Sequence, residues 1–573
     1  MNYCPHPERP PVIRVTITPL FSNNADSGAE AEAEKLFIHL VLEDPHCPAH
    51  RPLFLYETYY GNVPAHPYQE SDVDAFDSAG PLQLSFTKPD KNKPDQKWRV
   101  NRTTERDVHL RFIASPRKVD ITTPIGPRVD MRRDQGGLIG CGRWFLPRPV
   151  GDKIYRHVVE WDLSSTPAGT RAVWSFGEGP SPVRKDGKSD VLANSVFMVG
   201  PVKSYPNPGA EPGRDDDASV GPAAGSADAS RANIYWFGSL PGNLSRLNAY
   251  STALFPKLAA FFRTVNASYR VFIRRVVRGF GGGACLDSYV LEYDDNSWKE
   301  TDHELISLFS HEMVHSFTMM GFEANGYNNG WYVEGIAELY SAYLPYRFGL
   351  CGVQYLRERL NSSLSSYGTS PRIEMDVLES QQNFYDDWYA ELIPYARGCT
   401  YLLKIDSRLR KMTGRFGLGQ NSPLDDIIID MGRRWRGGEQ LQAKDWLKYL
   451  RPYLGDVTHE FQNMLRGKVL DLSNTIIIHK NWSLTPGMHE ILEFGFDKSS
   501  IDKRIVSGTV PNSRAAEAGL EDELRLLSIS RAGICSKSLS ANLHMLVEQR
   551  GVKTQITYWP RSFNKGKVWQ LED

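Results

Sequence analysis

The pentapeptide His311-Glu312-Met313-Val314-His315 constrains this chain more than any other feature. Histidines four residues apart lie on one face of a helix, so both imidazoles can point at a single ion. Glu312, turned about 100° away, can address a water on that ion. With 14 histidines in 573 residues, chance supplies this pattern only about 0.02 times. Thr301-Asp302 marks a helix start and Gly321 an end, which predicts a helix over 302–320.

A catalytic zinc takes three protein ligands and keeps one position open for water. Glu334 follows His315 after 18 residues, within Trp331-Tyr332-Val333-Glu334-Gly335-Ile336-Ala337-Glu338 on the next predicted helix, 331–348. Glu338, four residues on, shares its face and is placed to hold the free N–H of a ligand histidine. The expected site is one zinc per chain on His311, His315 and Glu334, with Glu312 as base and Glu338 behind a histidine.

The remainder reads as a multidomain α+β chain. At 573 residues, it has room for roughly three or four domains. Residues 1–203 alternate short β-branched and aromatic runs (Val12 to Ile17, Leu36 to Leu42, Val108 to Ile113, His157 to Leu163) with turn clusters, the pattern of a β-sandwich. Residues 204–232 turn to Gly, Pro, Ala, Ser and Asp, a linker or disordered insertion. Residues 233–484 are mostly helical in pattern, with strands at Ser268 to Val277 and Ser288 to Tyr293 and helices around 247–263, 302–320, 331–348, 391–412 and 444–467. Residues 485–573 return to short strands (Arg504 to Val510, Leu524 to Ile529, Thr554 to Tyr558), with one helix near Ser538 to Arg550.

Charge excludes some partners. Sixty-seven Lys and Arg against 68 Asp and Glu leave a net charge of −1, which gives no electrostatic reason for a nucleic-acid or anionic-membrane partner. No apolar run approaches the roughly 20 residues of a membrane helix, and the first residues lack the regions of a signal peptide, so the cytosol is expected. Seven scattered cysteines without a C-x-x-C pair read as thiols rather than a disulfide framework.

The spacing H-E-x-x-H, eighteen residues, W-x-x-E-G-x-x-E resembles the gluzincin metallopeptidases, and within them the glycyl aminopeptidase-like family. That resemblance implies a β-rich N-terminal domain, a thermolysin-like catalytic domain and a C-terminal PDZ domain. It implies zinc on His311, His315 and Glu334 and general-base chemistry at Glu312. It adds Tyr395, because Tyr395-Ala396-Arg397-Gly398 is similar to the Y-x-K-G stretch whose tyrosine stabilises the oxyanion in relatives of the aminopeptidase N type.

Related peptidases also carry a Gly-rich edge strand ending in a glutamate that grips the substrate amine. Here the stretch is Gly279-Phe280-Gly281-Gly282-Gly283-Ala284-Cys285-Leu286-Asp287, without that glutamate. Gly281, Gly282 and Gly283 still permit main-chain pairing with an extended peptide, and exo- and endo-cleavage both stay open. Near the C-terminus, Arg504 to Leu520 looks like a PDZ strand, turn and helix, with Glu493-Phe494-Gly495-Phe496 in the place of the carboxylate-binding loop. Peptide C-terminus capture and plain packing are both compatible with it.

A peptide or small amide is thus the expected substrate of a zinc metallopeptidase. One alternative is a zinc hydrolase of a non-peptide small molecule or biosynthetic intermediate. The other is a PDZ-type binding protein with a vestigial site.

Overall fold

The computed structural model describes residues 9–22, 31–61, 63–89, 95–123, 126–207, 231–415, 421–475 and 482–572. Most of the stretch expected as linker therefore lies outside the described residues. The chain forms two compact units, Met1–Phe255 with Asn266–Asp302, and Pro256–Val265 with His303–Asp573.

The first unit begins with the expected β-rich region. Val12–Phe21 pairs in parallel with Ile154–Trp161 and antiparallel with Ala33–Leu42, at the centre of a seven-stranded sheet. Alternation drives this pairing: Ile13, Val15 and Ile17 are fully buried, as are Ile38 and Leu40 opposite them. Further sheets of four and five strands share the same core, through Phe54 and Trp98 from one and Trp174 and Phe197 from the other.

A second five-stranded sheet of this unit is mixed. Its order is Val202–Tyr205, Arg231–Phe237, Ser268–Arg275, Ser288–Tyr293, Gly281–Cys285. Both edges are antiparallel, and the glycine strand is one of them. Tyr235, Phe237, Phe272 and Val290 of this sheet pack on Ile139, Val196 and Met198. Helix α1, Gly242–Phe261, follows the strand Arg231–Phe237.

The second unit is helical: α2 (Asp302–Val314), α3 (Gly330–Arg347), α4 (Val353–Gly368), α5 (Val377–Gln382), α6 (Ile393–Thr413), α7 (Pro423–Arg436), α8 (Ala443–Leu454) and α9 (Thr458–Leu465). Helix α3 is buried nearly all round, with Trp331, Tyr332, Ile336, Leu339, Tyr340 and Leu344 at 0% exposure. Trp331 anchors it in an aromatic cluster, its ring 5.5 Å from Tyr401, 5.7 Å from Trp446 and 5.1 Å from Phe461.

The chain closes with the antiparallel pair Ser483–Leu492 and Arg561–Glu572, a three-stranded sheet of Arg525–Ser530, Leu543–Gln549 and Val552–Tyr558, and short helices α10 (Ser500–Lys503), α11 (Arg514–Glu517) and α12 (Ala532–Lys537). The three-stranded sheet and the short helices share one core that includes Phe494, Leu526, Leu543, Met545 and Val547.

Four local expectations need correction. The segment near Ser538 to Arg550 contains a strand, not a helix, because Leu543, Met545 and Val547 alternate inward between two partner strands. Arg504 to Val510 forms only one bridge, Ile505 to Arg525, since Arg504 and Gly508 have φ of 58° and 66°. The helix expected over 444–467 splits at Gly455, φ 71°, into α8 and α9. Helix α2 stops at Val314, and tighter turns carry the chain through His315: Ser316 N–H donates to Met313 and Phe317 N–H to Val314.

Candidate metal centre

Helix α2 and the turn after it supply His311 and His315. Helix α3 supplies Glu334, and it starts at Asn329, whose φ of 54° reverses the chain. Asn329 is fully buried, donates to the Gly321 carbonyl and to Glu323, and accepts from the Trp331 indole N–H. The connection between the two ligand helices is thereby pinned from inside.

The three ligand atoms converge. Nε2 of His311 lies 3.1 Å from Nε2 of His315 and 3.1 Å from Oε2 of Glu334, and Nε2 of His315 lies 3.5 Å from the same oxygen. Two imidazole nitrogens and a carboxylate oxygen facing one point are a donor set that a divalent cation would satisfy together. Zinc–ligand bonds of about 2.0–2.1 Å in a tetrahedral arrangement separate the donor atoms by about 3.3 Å, and the observed triangle matches that. The side chains of His311, His315 and Glu334 are 9%, 11% and 23% exposed, so the cluster is sheltered and still reachable.

Behind the triangle, Oε1 of Glu338 lies 3.4 Å from Nδ1 of His311. This is the arrangement expected from the i+4 spacing, and it orients the ring. Burial disfavours a charged His311, yet its bonds to Glu334 and Glu338 outweigh that and hold its pKa up at about 10. Burial likewise opposes charge on Glu334, but the neighbouring His315 and the bond from His311 bring its carboxyl down to about 2. Glu338 is held below the usual carboxylate range against its burial, with Lys537 the leading cause and His311 next.

Tyr395 enters from α6. Its ring stacks on His311, centroids 5.8 Å apart and planes at 25°. Burial, then the charges of Glu334, Glu391, Glu312 and Glu338, push its hydroxyl well above the ordinary tyrosine value, so the O–H stays a donor. Glu312 is buried on α2, between the two histidines in sequence. Arg397, which replaces the lysine of the similar motif, is buried elsewhere and donates to the Ile373 carbonyl at 2.8 Å.

The structure therefore brings together His311, His315, Glu334, Glu338 and Tyr395, with Glu312 on the same helix. Gly281, Gly282 and Gly283 lie in the first unit. There the guanidinium of Arg128 lies across the strand, donating to the carbonyls of Gly282 and Phe280 at 3.1 and 3.3 Å. A Cβ at Gly281 would come within 2.4 Å of it. The sequence reading missed Lys537, whose Nζ lies 3.5 Å from Glu338, because a lysine 199 residues downstream has no local signature. It also passed over the contact between Gly335 and Gly398, although both glycines stand inside the quoted motifs.

No family model and no curated protein matches this sequence. Among solved structures, an aminopeptidase N family protein from Idiomarina loihiensis superposes with a TM-score of 0.62 over 98% of this chain and 98% of its own, at 15% identity. An M1 zinc metallopeptidase from Deinococcus radiodurans, bound to a Tyr-Ser-Ala substrate, matches with a TM-score of 0.47 at 13% identity, covering 81% of this chain and 95% of its own. Leukotriene A4 hydrolase from Saccharomyces cerevisiae matches with a TM-score of 0.44 at 11% identity, covering 79% of this chain and 66% of its own. Over 98% of its length, this chain has the fold of an aminopeptidase N family protein.

Proposed function

We propose that this chain is a zinc-dependent metallopeptidase that hydrolyses peptide bonds, with one zinc per chain. The convergence of Nε2 of His311, Nε2 of His315 and Oε2 of Glu334 on one point carries the proposal. Zinc held there supplies a Lewis acid and a water acidified to a pKa of about 7. Glu312 accepts the proton of the attacking water at its carboxylate and passes it to the leaving amine. Tyr395 donates its O–H to the carbonyl oxygen as that oxygen becomes anionic. Glu338 keeps the ring of His311 in place through Nδ1.

For Gly281, Gly282 and Gly283 the proposed role is main-chain pairing with an extended peptide. Arg128, which holds the carbonyls of Phe280 and Gly282, is the group that such a peptide would displace. For the C-terminal block we favour packing over capture of a peptide carboxyl terminus. The N–H of Phe494, in the loop suited to a carboxylate, donates to the Tyr389 hydroxyl at 3.0 Å, and the Phe496 carbonyl accepts from the Trp388 indole at 3.2 Å. The described cysteines are free thiols, which fits a reducing compartment such as the cytosol. No helix among the described residues is long and apolar enough to cross a membrane.

The test is metal content by plasma mass spectrometry for the wild type and His315→Ala, with cleavage of a mixed peptide library by the same samples. One zinc per wild-type chain, lost in the variant, together with new peptide termini, is the expected outcome. A wild type that takes up no zinc on resupply would overturn the proposal.

A further inference from the structure

Glu338 joins the ligand cluster to the far end of the chain. Its Oε1 lies 3.4 Å from Nδ1 of His311 and 3.5 Å from Nζ of Lys537, and its Oε2 accepts from the Ser363 hydroxyl at 3.4 Å. The Glu338 side chain is 13% exposed, and a carboxylate so placed needs a cation and donors to offset its lost hydration. Arg359 acts on it electrostatically, behind Lys537 in effect.

Lys537 is the last residue of α12, and that end of the helix is fixed. The buried guanidinium of Arg561 donates at 2.7 Å to each of the carbonyls of Cys535 and Ser538, which flank Lys537, and at 2.9 Å to Thr369. Thr369 caps α4, the helix that carries Ser363. Arg561 thus satisfies orphan carbonyls at the end of α12 and ties that end to α4. The ammonium of Lys537 is delivered to Glu338 by a braced element, although its own side chain remains 39% exposed.

We propose that Lys537 is a positioning residue of the metal centre: its ammonium holds the Glu338 carboxylate against Nδ1 of His311, and so fixes the imidazole whose Nε2 faces the ligand triangle. The proposal rests on the metal-site reading above. It makes the C-terminal block part of the metal centre.

The experiment uses the full chain and zinc alone. The zinc dissociation constant is measured by competition with a chromophoric chelator, beside kcat and KM, for wild type, Lys537→Met, Lys537→Arg and Glu338→Gln, and for Glu338→Gln combined with Lys537→Met. Groups hydrogen-bonded to a ligand histidine change metal affinity about 10–100-fold; Lys537, one step removed, is expected at the lower end, about tenfold. Lys537→Arg restores the affinity, and Lys537→Met adds nothing once Glu338 is glutamine. Lys565→Met, which breaks an ion pair of the same 3.5 Å length with Glu490 on the same block, leaves affinity unchanged. If Lys537→Met does not fold, Lys537→Gln gives the same comparison. A zinc affinity within twofold of wild type in the Lys537 variant, or a full additional loss in the Glu338→Gln background, overturns the proposal while the metal reading stands. A wild type that binds no zinc fails the metal reading itself.

Discussion

Gly335 of α3 and Gly398 of α6 meet backbone to backbone. A Cβ at Gly398 would lie 2.2 Å from the Trp331 carbonyl oxygen and 2.9 Å from Cα of Gly335, and a Cβ at Gly335 would lie 2.6 Å from the carbonyl carbon of Gly398. Glu334 immediately precedes one of these glycines, and Tyr395 stands three residues before the other. The crossing therefore sets how closely Tyr395 approaches His311 and Glu334. Gly398→Ala must push backbone apart and is expected to destabilise the chain by about 1–3 kcal/mol, read by urea unfolding. Turnover should fall further than the loss of folded protein explains, while zinc content is retained, since the ligands sit on the other side of the contact.

Glu312→Gln separates holding the metal from using it. Glu312 is outside the ligand triangle, so zinc content by mass spectrometry should match wild type, while peptide turnover drops by about 10²–10⁴, the range of a lost general base. Wild-type turnover in this variant would remove Glu312 from the mechanism.

Tyr395→Phe keeps the ring on His311 and deletes only the donor. Loss of one oxyanion donor costs about 10²–10³ in kcat, so kcat should fall by that order with KM little changed. A change confined to KM would assign Tyr395 to substrate binding instead.

Acid sensitivity of the first unit is expected at Asp77. The Arg102 guanidinium grips its carboxyl at 2.7 and 2.8 Å, and the N–H groups of Glu105 and Ala79 add to it. Against its burial, these hold the pKa at about 2, with the Arg102 bond the largest cause. A depressed carboxylate stabilises the fold above its unfolded pKa of about 3.9 and loses that contribution as pH falls through 2. The contribution is about 2–3 kcal/mol at neutral pH. Asp77→Asn should lower stability at pH 7 by that order and lose the difference from wild type near pH 2, as followed by denaturant titrations across the range.

Peptides ending in a free carboxylate should show no saturable binding to the wild-type protein by fluorescence polarisation, because the Tyr389 hydroxyl already accepts the Phe494 N–H that such a carboxylate would need. A micromolar dissociation constant would replace the packing role with peptide capture.

The candidate metal centre was legible in sequence because its residues lie on one helix, the turn that ends it and the next helix, where spacing sets which side chains share a face. His311, Glu334 and Glu338 meet as i+4 geometry and helix order predict. Tyr395 was reachable only through resemblance, since nothing local ties α6 to α3; the tie is the Gly335–Gly398 contact. Leu543–Gln549 deceived the reading because leucine, glutamate and glutamine favour helices in isolation, whereas pairing on both sides makes the segment a central strand. Helix α4 was not read from the sequence, although Leu356, Leu360, Leu364 and Tyr367 bury one face of it. Lys537 shows the general limit: a contact 199 residues long leaves no periodicity to read.

That separation also orders events during synthesis. The metal ligands fall between His311 and Glu334, whereas Lys537 follows Glu338 by 199 residues. At about 5–20 residues per second, the ribosome presents a complete ligand set on the order of 10–40 seconds before the residue that steadies it. Lys537 therefore reaches Glu338 only after every candidate ligand, and the helices that carry them, have left the ribosome.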